Sequence, residues 1–312
     1  MVFERLGRAP LDYRPVRYGT SKLTFRGPAR DLSSAYIACL GGTETHGRFL
    51  DRPWPARLEA ALGLPCVNLG LPNAGPDVFL RDKGLLDLAR GASAVILQVP
   101  CAMNLSNPYY DVHPRRNDRF LRASTRLRRL YPEVDFTEFH FTRHMMWRLA
   151  SLAPERFALL RTSVQDVWVD RMQRLMASIG RPVFLLWLAN HAPGPDPNST
   201  EIHDDPAFVS LAMIRAIRPR ATHLAQVVIS KTARDQGTRG MRFSDGGKCR
   251  RRPARPARPC RGGAGLAARP ARADRGMKKP APVGRGPWSG SQLPQSFSVS
   301  SGSAVKRSAT SP

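Results

Sequence analysis

The chain has 312 residues, 42% of them hydrophobic, which is enough for one or two domains with a real core. It carries 49 Lys+Arg against 24 Asp+Glu, a formal net charge of +25, yet 15 of those cations and only 2 of those acids follow Phe243, so about half of the excess sits in the last quarter of the length. The five cysteines (Cys39, Cys66, Cys101, Cys249 and Cys260) have no C-x-x-C spacing and an odd count, no signal-type apolar segment opens the chain, and no stretch nears the roughly 20 apolar residues of a membrane helix; these features argue against a disulfide framework, zinc, secretion and membrane insertion, and the expected location is the cytoplasm.

Residues 1–30 are basic, contain Tyr and Pro, and show no periodicity, so they read as an N-terminal arm or lid. A regular alternation follows. Ala35–Leu40 is a buried strand ending at Gly41-Gly42, and Pro53–Leu62 is a short helix with prolines at its start and Gly63 at its end. Cys66–Leu69 is a second strand, stopped by Gly70. Asp77–Ala89 has helical spacing, and Ala94–Val99 is a third strand closed by Pro100. Strands with continuous apolar character, separated by helices, imply βαβ crossovers and a parallel sheet covered on both faces.

The middle reads as helical over Arg119–Leu130, Phe139–Leu152 and Pro154–Ile179, the last with apolar residues every three to four positions. Val183–Leu188 is a fourth strand, 190–206 a polar loop and Pro206–Ile217 a helix. Leu224–Ile229 is a fifth strand or an apolar helix, with Val227, Val228 and Ile229 favouring the strand. The expected architecture is an α/β domain over 31–243, built on an open, mostly parallel sheet of about five strands flanked by helices. From residue 244 the composition turns to Arg, Pro, Ala and Gly, which cannot bury enough apolar surface to offset chain entropy and predicts a disordered basic tail. Those four residue types are all encoded by GC-rich codons, so out-of-frame translation is a further explanation of the tail; a functional basic arm for nucleic acid is another.

In an open parallel sheet, ligands sit at the carboxyl ends of the strands. Three loops there carry polar residues: 41–47 (GGTETHG), 68–75 (NLGLPNAG) and 101–107 (CAMNLSN). Their order resembles that of the SGNH (GDSL-like) hydrolases, in which strand one ends in Gly-Asp-Ser-x-Thr-x-Gly with the serine as nucleophile, a glycine after strand two and an asparagine after strand three complete the oxyanion hole, and a late Asp-x-x-His supplies the base. The resemblance implies an SGNH/flavodoxin-like fold, with Gly42 at the aspartate position, Thr43 as nucleophile, and Gly70 and Asn104 as oxyanion or substrate-binding groups. It departs at the base, because no histidine follows His223. Glu44, His46 and His191 are the substitutes for a base or a pocket lining. The segments LGGTETHGRF, HPRRNDRF and VDFTEFHFTRHM resemble a bacterial family, domain of unknown function 6473, over roughly Tyr13 to Phe243; that likeness brings no activity with it.

The same residues have plainer roles. Gly41, Gly42 and Gly70 suit ordinary strand-to-helix turns, Thr43 a helix cap, Asn104 a loop brace and Cys101 a buried thiol. Arg115, Arg116 and Arg119 form a basic loop ahead of an expected helix and could clamp an anion there. His140 and His144 have the spacing of a metal pair, but aromatic neighbours favour a packed helix, and no metal is expected. No Walker loop and no G-x-G-x-x-G follows the first strand, so no cofactor is expected. The expected partner is a small-molecule ligand or substrate, with nucleic acid engaged only non-specifically by the tail and no membrane; the sequence gives no oligomeric state. The function so reached is a degenerate SGNH-like hydrolase or acyltransferase acting on a small, possibly anionic ester, impaired by the missing histidine. The alternative is a non-catalytic α/β domain that binds an anionic ligand.

Overall fold

The structure is a computed structural model and describes residues 11–195, 202–237 and 241–242. The chain divides into two units, Met1–Arg251 and Arg252–Pro312, and every described residue belongs to the first. The predicted tail, Cys249, Cys260 and residues 1–10 of the predicted arm lie outside the described residues.

Five parallel strands form the central sheet: β1 (Ile37–Gly41), β2 (Cys66–Gly70), β3 (Ala94–Gln98), and, after an antiparallel hairpin of β4 (Tyr110–His113) and β5 (Arg116–Ala123), β6 (Val183–Ala189) and β7 (His223–Val228). The sheet order is β2-β1-β3-β6-β7. The apolar runs IACLG, CVNLG and AVILQ are nearly continuous because helices cover both faces, and Ala38, Cys39, Leu40, Val67, Leu69, Val95 and Leu97 have no solvent exposure. The chain passes from β1 to β2 on one side and then crosses back over β1 to β3 on the other. That reversal opens a crevice at the carboxyl ends of β1 and β3, where doubly wound sheets hold ligands.

The helices are α1 (Thr43–His46), α2 (Trp54–Leu62), α3 (Pro76–Arg81), α4 (Lys83–Gly91), α5 (Thr125–Leu130), α6 (Thr142–Leu152), α7 (Pro154–Ile179), α8 (Leu211–Ile217) and α9 (Lys231–Asp235). Helix α7 has the bounds its spacing predicts and stops at Gly180, whose φ of 60° suits a residue without a Cβ. It buries Phe157, Leu160, Val164, Trp168, Met172 and Leu175. Helix α8 begins later than predicted: residues 206–209 stay in the loop, and Ser210 Oγ caps the helix by accepting from Met213 N at 3.3 Å. The fifth strand, β7, lies at the sheet edge, which leaves Val227, Val228 and Ile229 exposed.

Two readings of the sequence are corrected. The helix expected over Arg119–Leu130 is instead strand β5 followed by α5. Register shifts in the hairpin after Asp111 and after Val112 break the two-residue alternation of β5, so its buried residues are Asn117, Phe120 and Ala123. Three-residue spacing is what a helix face would also show, and the bulges therefore disguise the strand. The second correction concerns the arm. From Tyr13 onward it is built into the domain: Val16 and Phe25 pair as an antiparallel bridge, and Tyr18, Leu23 and Phe25 join the core. The buried Arg26 guanidinium donates to the carbonyls of His46 at 3.1 Å, Gly47 at 2.5 Å, Leu50 at 2.6 Å and Asp51 at 3.0 Å. One arginine thus fixes the whole turn that follows α1. Among the described residues, no helix is long and apolar enough to cross a membrane.

Candidate functional site

Strand β1 delivers Gly41 and Gly42 to the crevice, and Thr43 opens α1 immediately after them. Gln98, at the end of β3, holds this turn. Its Oε1 accepts from Gly42 N at 3.2 Å and from Thr45 Oγ1 at 2.5 Å, while its Nε2 donates to Glu44 Oε2 at 2.8 Å. The Gly42 N–H is therefore already occupied.

The β2 end explains two further glycines. Gly70 N donates to Asn68 Oδ1 at 3.0 Å, and Asn68 Nδ2 donates to Thr45 O at 2.8 Å. A Cβ on Gly70 would stand 2.4 Å from His46 N, so this position serves the close approach of α1 to β2. The donor expected of Gly70 is consumed within the turn. A Cβ on Gly75 would stand 1.6 Å from the Asn104 carbonyl oxygen; only glycine lets the β2 and β3 loops touch there.

Asn73 is the hub of the site, and sequence reasoning did not single it out. It holds φ of 55°, a left-handed conformation that asparagine tolerates better than most residues. Its N–H donates to Thr43 Oγ1 at 3.0 Å and its Oδ1 accepts the Thr43 hydroxyl at 3.1 Å. Its Nδ2 donates to Asp118 Oδ2 at 3.0 Å, and its carbonyl accepts from Asn104 Nδ2 at 3.1 Å. Asn104 Oδ1 in turn accepts from Thr142 Oγ1 at 2.9 Å. Thr43, Asn73, Asn104 and Thr142 form one hydrogen-bonded chain, and the Asn104 amide retains a second N–H beyond it. Behind this chain, the buried Asn117 Oδ1 accepts from Gly75 N at 3.0 Å and Val78 N at 3.2 Å, pinning the β4–β5 hairpin to the start of α3.

The opposite wall comes from the loop after β6. Arg143 of α6 grips it: the guanidinium donates to Asp205 Oδ1 and Oδ2 at 2.6 and 2.8 Å and to the Ile202 carbonyl. This brings His203, Asp204 and Asp205 to a cavity of about 250 Å³. Thr43, Glu44, Asn104, Arg143, Asn190 and His203 line it. Asn190 Oδ1 is buried in this wall and meets no donor among the described residues. Cys101 also borders the cavity, but burial pushes its thiol up and keeps it protonated, so it serves as an apolar wall.

The structure thus brings Gly42, Thr43, Glu44 and Asn104 together and leaves the other expected pocket residues aside. His46 turns away toward the N-terminal segment, with Nδ1 3.3 Å from Gly70 O and its ring 5.4 Å from that of Tyr13; burial lowers its pKa and holds it neutral. His191 Nδ1 lies 2.8 Å from Ala192 O, and its ring packs edge-on against Trp187, outside the cavity lining. The cavity histidine is His203, twelve residues further on. His140 precedes α6, while His144 packs edge-on against Phe139, so the two do not share a helix face. Arg115, Arg116 and Arg119 lie on the β4–β5 hairpin. The helix expected to follow them directly is strand β5, and they border a separate groove that Phe141, the residue capping α6, also lines.

The family model described as Domain of unknown function (DUF6473) matches residues 1–257. Among solved structures, the chain is similar to the lipase Lip_vut3 from a goat rumen metagenome, at 12% identity and a TM-score of 0.29, over 63% of this chain and 80% of that one. It is also similar to an inhibitor-bound aryl esterase of M. smegmatis, at 14% identity and a TM-score of 0.28, over 62% of this chain and 84% of that one. No curated protein matches the chain.

Proposed function

Because the chain belongs to the family of the Domain of unknown function (DUF6473), whose description names no chemistry, we propose a function from the site itself: hydrolase-like acyl transfer on a small ester, with Thr43 as nucleophile, His203 as base and the Asn104 amide as oxyanion donor. The supporting observation is that these three residues, from three different strand-end loops, line one cavity of about 250 Å³ at the carboxyl edge of the sheet. An acyl-transfer site needs those three parts within reach of one carbonyl. In this reading Thr43 Oγ1 attacks the acyl carbon while its proton passes to His203. The ester C–O bond breaks, the alcohol leaves with that proton, and water releases the acid from the acyl-threonine.

The resting hydroxyl donates to Asn73 Oδ1, which is no base, so turnover requires the Thr43 side chain to leave that partner when the ester enters. Together with the threonine methyl, this makes the site slow. The test is hydrolysis of aryl acetates by the full chain and by folded Thr43→Ala, His203→Ala and Asn104→Ala variants. Thr43→Ala should fall to the uncatalysed rate. His203→Ala should lose about 10²–10⁴-fold in kcat, and Asn104→Ala about 10²–10³-fold. An unchanged rate in Thr43→Ala removes the nucleophile and the proposal with it.

A second reading, binding without turnover, is favoured by the two occupied glycine donors: Gly42 N–H is held by Gln98 and Gly70 N–H by Asn68. Acetate or a neutral ester would then raise the melting temperature of the wild type and not of Asn104→Ala, with no ester hydrolysis from either.

A further inference from the structure

Beside the cavity lies a second, larger hollow of about 670 Å³ with a different chemistry. Arg17 and Lys22 reach it from the N-terminal segment, Arg48 from the turn after α1, and Arg115, Arg116 and Arg119 from the β4–β5 hairpin. Asp118 is its carboxylate, and that group already accepts from Asn73 Nδ2 at 3.0 Å. Among the described residues, none of the six cations forms an ion pair, although arginines elsewhere on the surface do, such as Arg30 with Glu59 and Arg122 with Asp111. Two of the guanidinium groups are steadied by rings, Arg48 over Phe49 at 4.9 Å and Arg119 over Phe141 at 6.0 Å, and Arg17 Nε is oriented by Thr24 Oγ1 at 3.4 Å.

Three chain segments far apart in sequence therefore meet with six positive charges and one engaged carboxylate. Such crowding costs Coulomb energy unless an anion neutralises it, and it focuses field into a concave site. Guanidinium forks match the oxygens of phosphate in two-point contacts. Asn73 lines both hollows, so the basic groove ends at the residue that holds the Thr43 hydroxyl.

We infer that this groove binds the phosphate or diphosphate group of a small molecule whose ester end reaches the neighbouring cavity. This names the substrate class of the proposed acyl-transfer site, and its second half rests on that proposal: a phosphorylated ester, held by its phosphate in the groove.

The first arm of the test uses no ester and so stands apart from the acyl reading. Inorganic pyrophosphate is titrated by calorimetry into the full chain, into Arg115→Gln/Arg116→Gln/Arg119→Gln, and into a charge-matched control, Arg129→Gln/Arg215→Gln/Arg220→Gln. All three proteins keep the basic C-terminal segment. The expected result is one salt-dependent site, weakened about tenfold or more in the groove variant and unchanged in the control. Equal weakening in both variants would mean attraction by net charge alone and overturn the inference. So would retention of pyrophosphate by the groove variant together with selective loss of a short DNA duplex. The second arm compares hydrolysis of 2-phosphoethyl acetate with that of ethyl acetate. KM should be about tenfold or more lower for the phosphorylated ester, with kcat similar, and the advantage should vanish in the groove variant. Pyrophosphate binding without that KM difference would detach the groove from the cavity. Absence of hydrolysis of either ester would defeat the acyl proposal and leave the anion site intact.

Discussion

Trp168→Ala should lower the free energy of unfolding by about 3–5 kcal/mol, a large part of the 5–15 kcal/mol typical of a domain. Trp168 sits on α7 without solvent exposure, and its Nε1 donates to the Pro100 carbonyl at 3.1 Å. Truncation removes the largest class of buried side chain and leaves that carbonyl without its donor. Denaturant unfolding measures the loss; a change below about 1 kcal/mol would show that α7 is not the anchor of the sheet face. The site is coupled to this contact, because Pro100 begins the turn that carries Cys101 to Asn104. Trp168→Phe keeps most of the apolar volume and deletes only the hydrogen bond, at a cost of about 1–3 kcal/mol. It should remain folded at 25 °C, with Asn104-dependent activity reduced.

Asp77→Ala is expected to cost about 3–5 kcal/mol. The carboxylate, on a side chain only 3% exposed, accepts from Arg171 Nε at 2.9 Å and from Ser106 N at 3.1 Å, and Arg81 lies at 3.7 Å. It joins α3, α7 and the loop after β3, so its removal leaves the Arg171 guanidinium with only the exposed Asp170 at 3.6 Å and leaves a backbone donor unmet. Burial pushes the Asp77 carboxyl up, against the pull of the Ser106 N–H, Arg81 and Arg174. Both of its close contacts, Arg171 Nε and Ser106 N, are donors, so the position needs an acceptor. Asp77→Asn keeps one and should cost less than half as much as Asp77→Ala by the same unfolding measurement. Equal costs would mean that the ion pair, not the acceptor, holds the three elements.

Strands β1, β2, β3 and β6 and helix α7 were legible because each is a local pattern: a continuous apolar run, a three-to-four spacing, a stopping glycine. The loops that carry Thr43 and Asn104 followed from those strands, and the family resemblance of the loops singled out the two residues within them. The hairpin was not legible, because its bulges give buried Asn117, Phe120 and Ala123 the spacing of a helix. His203 was not legible either. It lies in a polar loop without periodicity, and it reaches the cavity only because Arg143, sixty residues earlier, holds Asp205 and the Ile202 carbonyl. The fate of Gly70 had a local signal that could have been read: an asparagine two residues earlier is placed to take its N–H. Nor does the N-terminal segment show any pattern that would announce a core role, since Tyr18, Leu23 and Phe25 are inserted singly between polar residues.

The most direct test is covalent trapping. The full chain is incubated with an alkyl fluorophosphonate, which phosphonylates activated hydroxyls, and the adduct is mapped by peptide mass spectrometry. A single adduct on Thr43 is expected, formed slowly in the wild type and absent from folded His203→Ala. A protein that stays unmodified, or one labelled elsewhere with no dependence on His203, would contradict the acyl-transfer proposal.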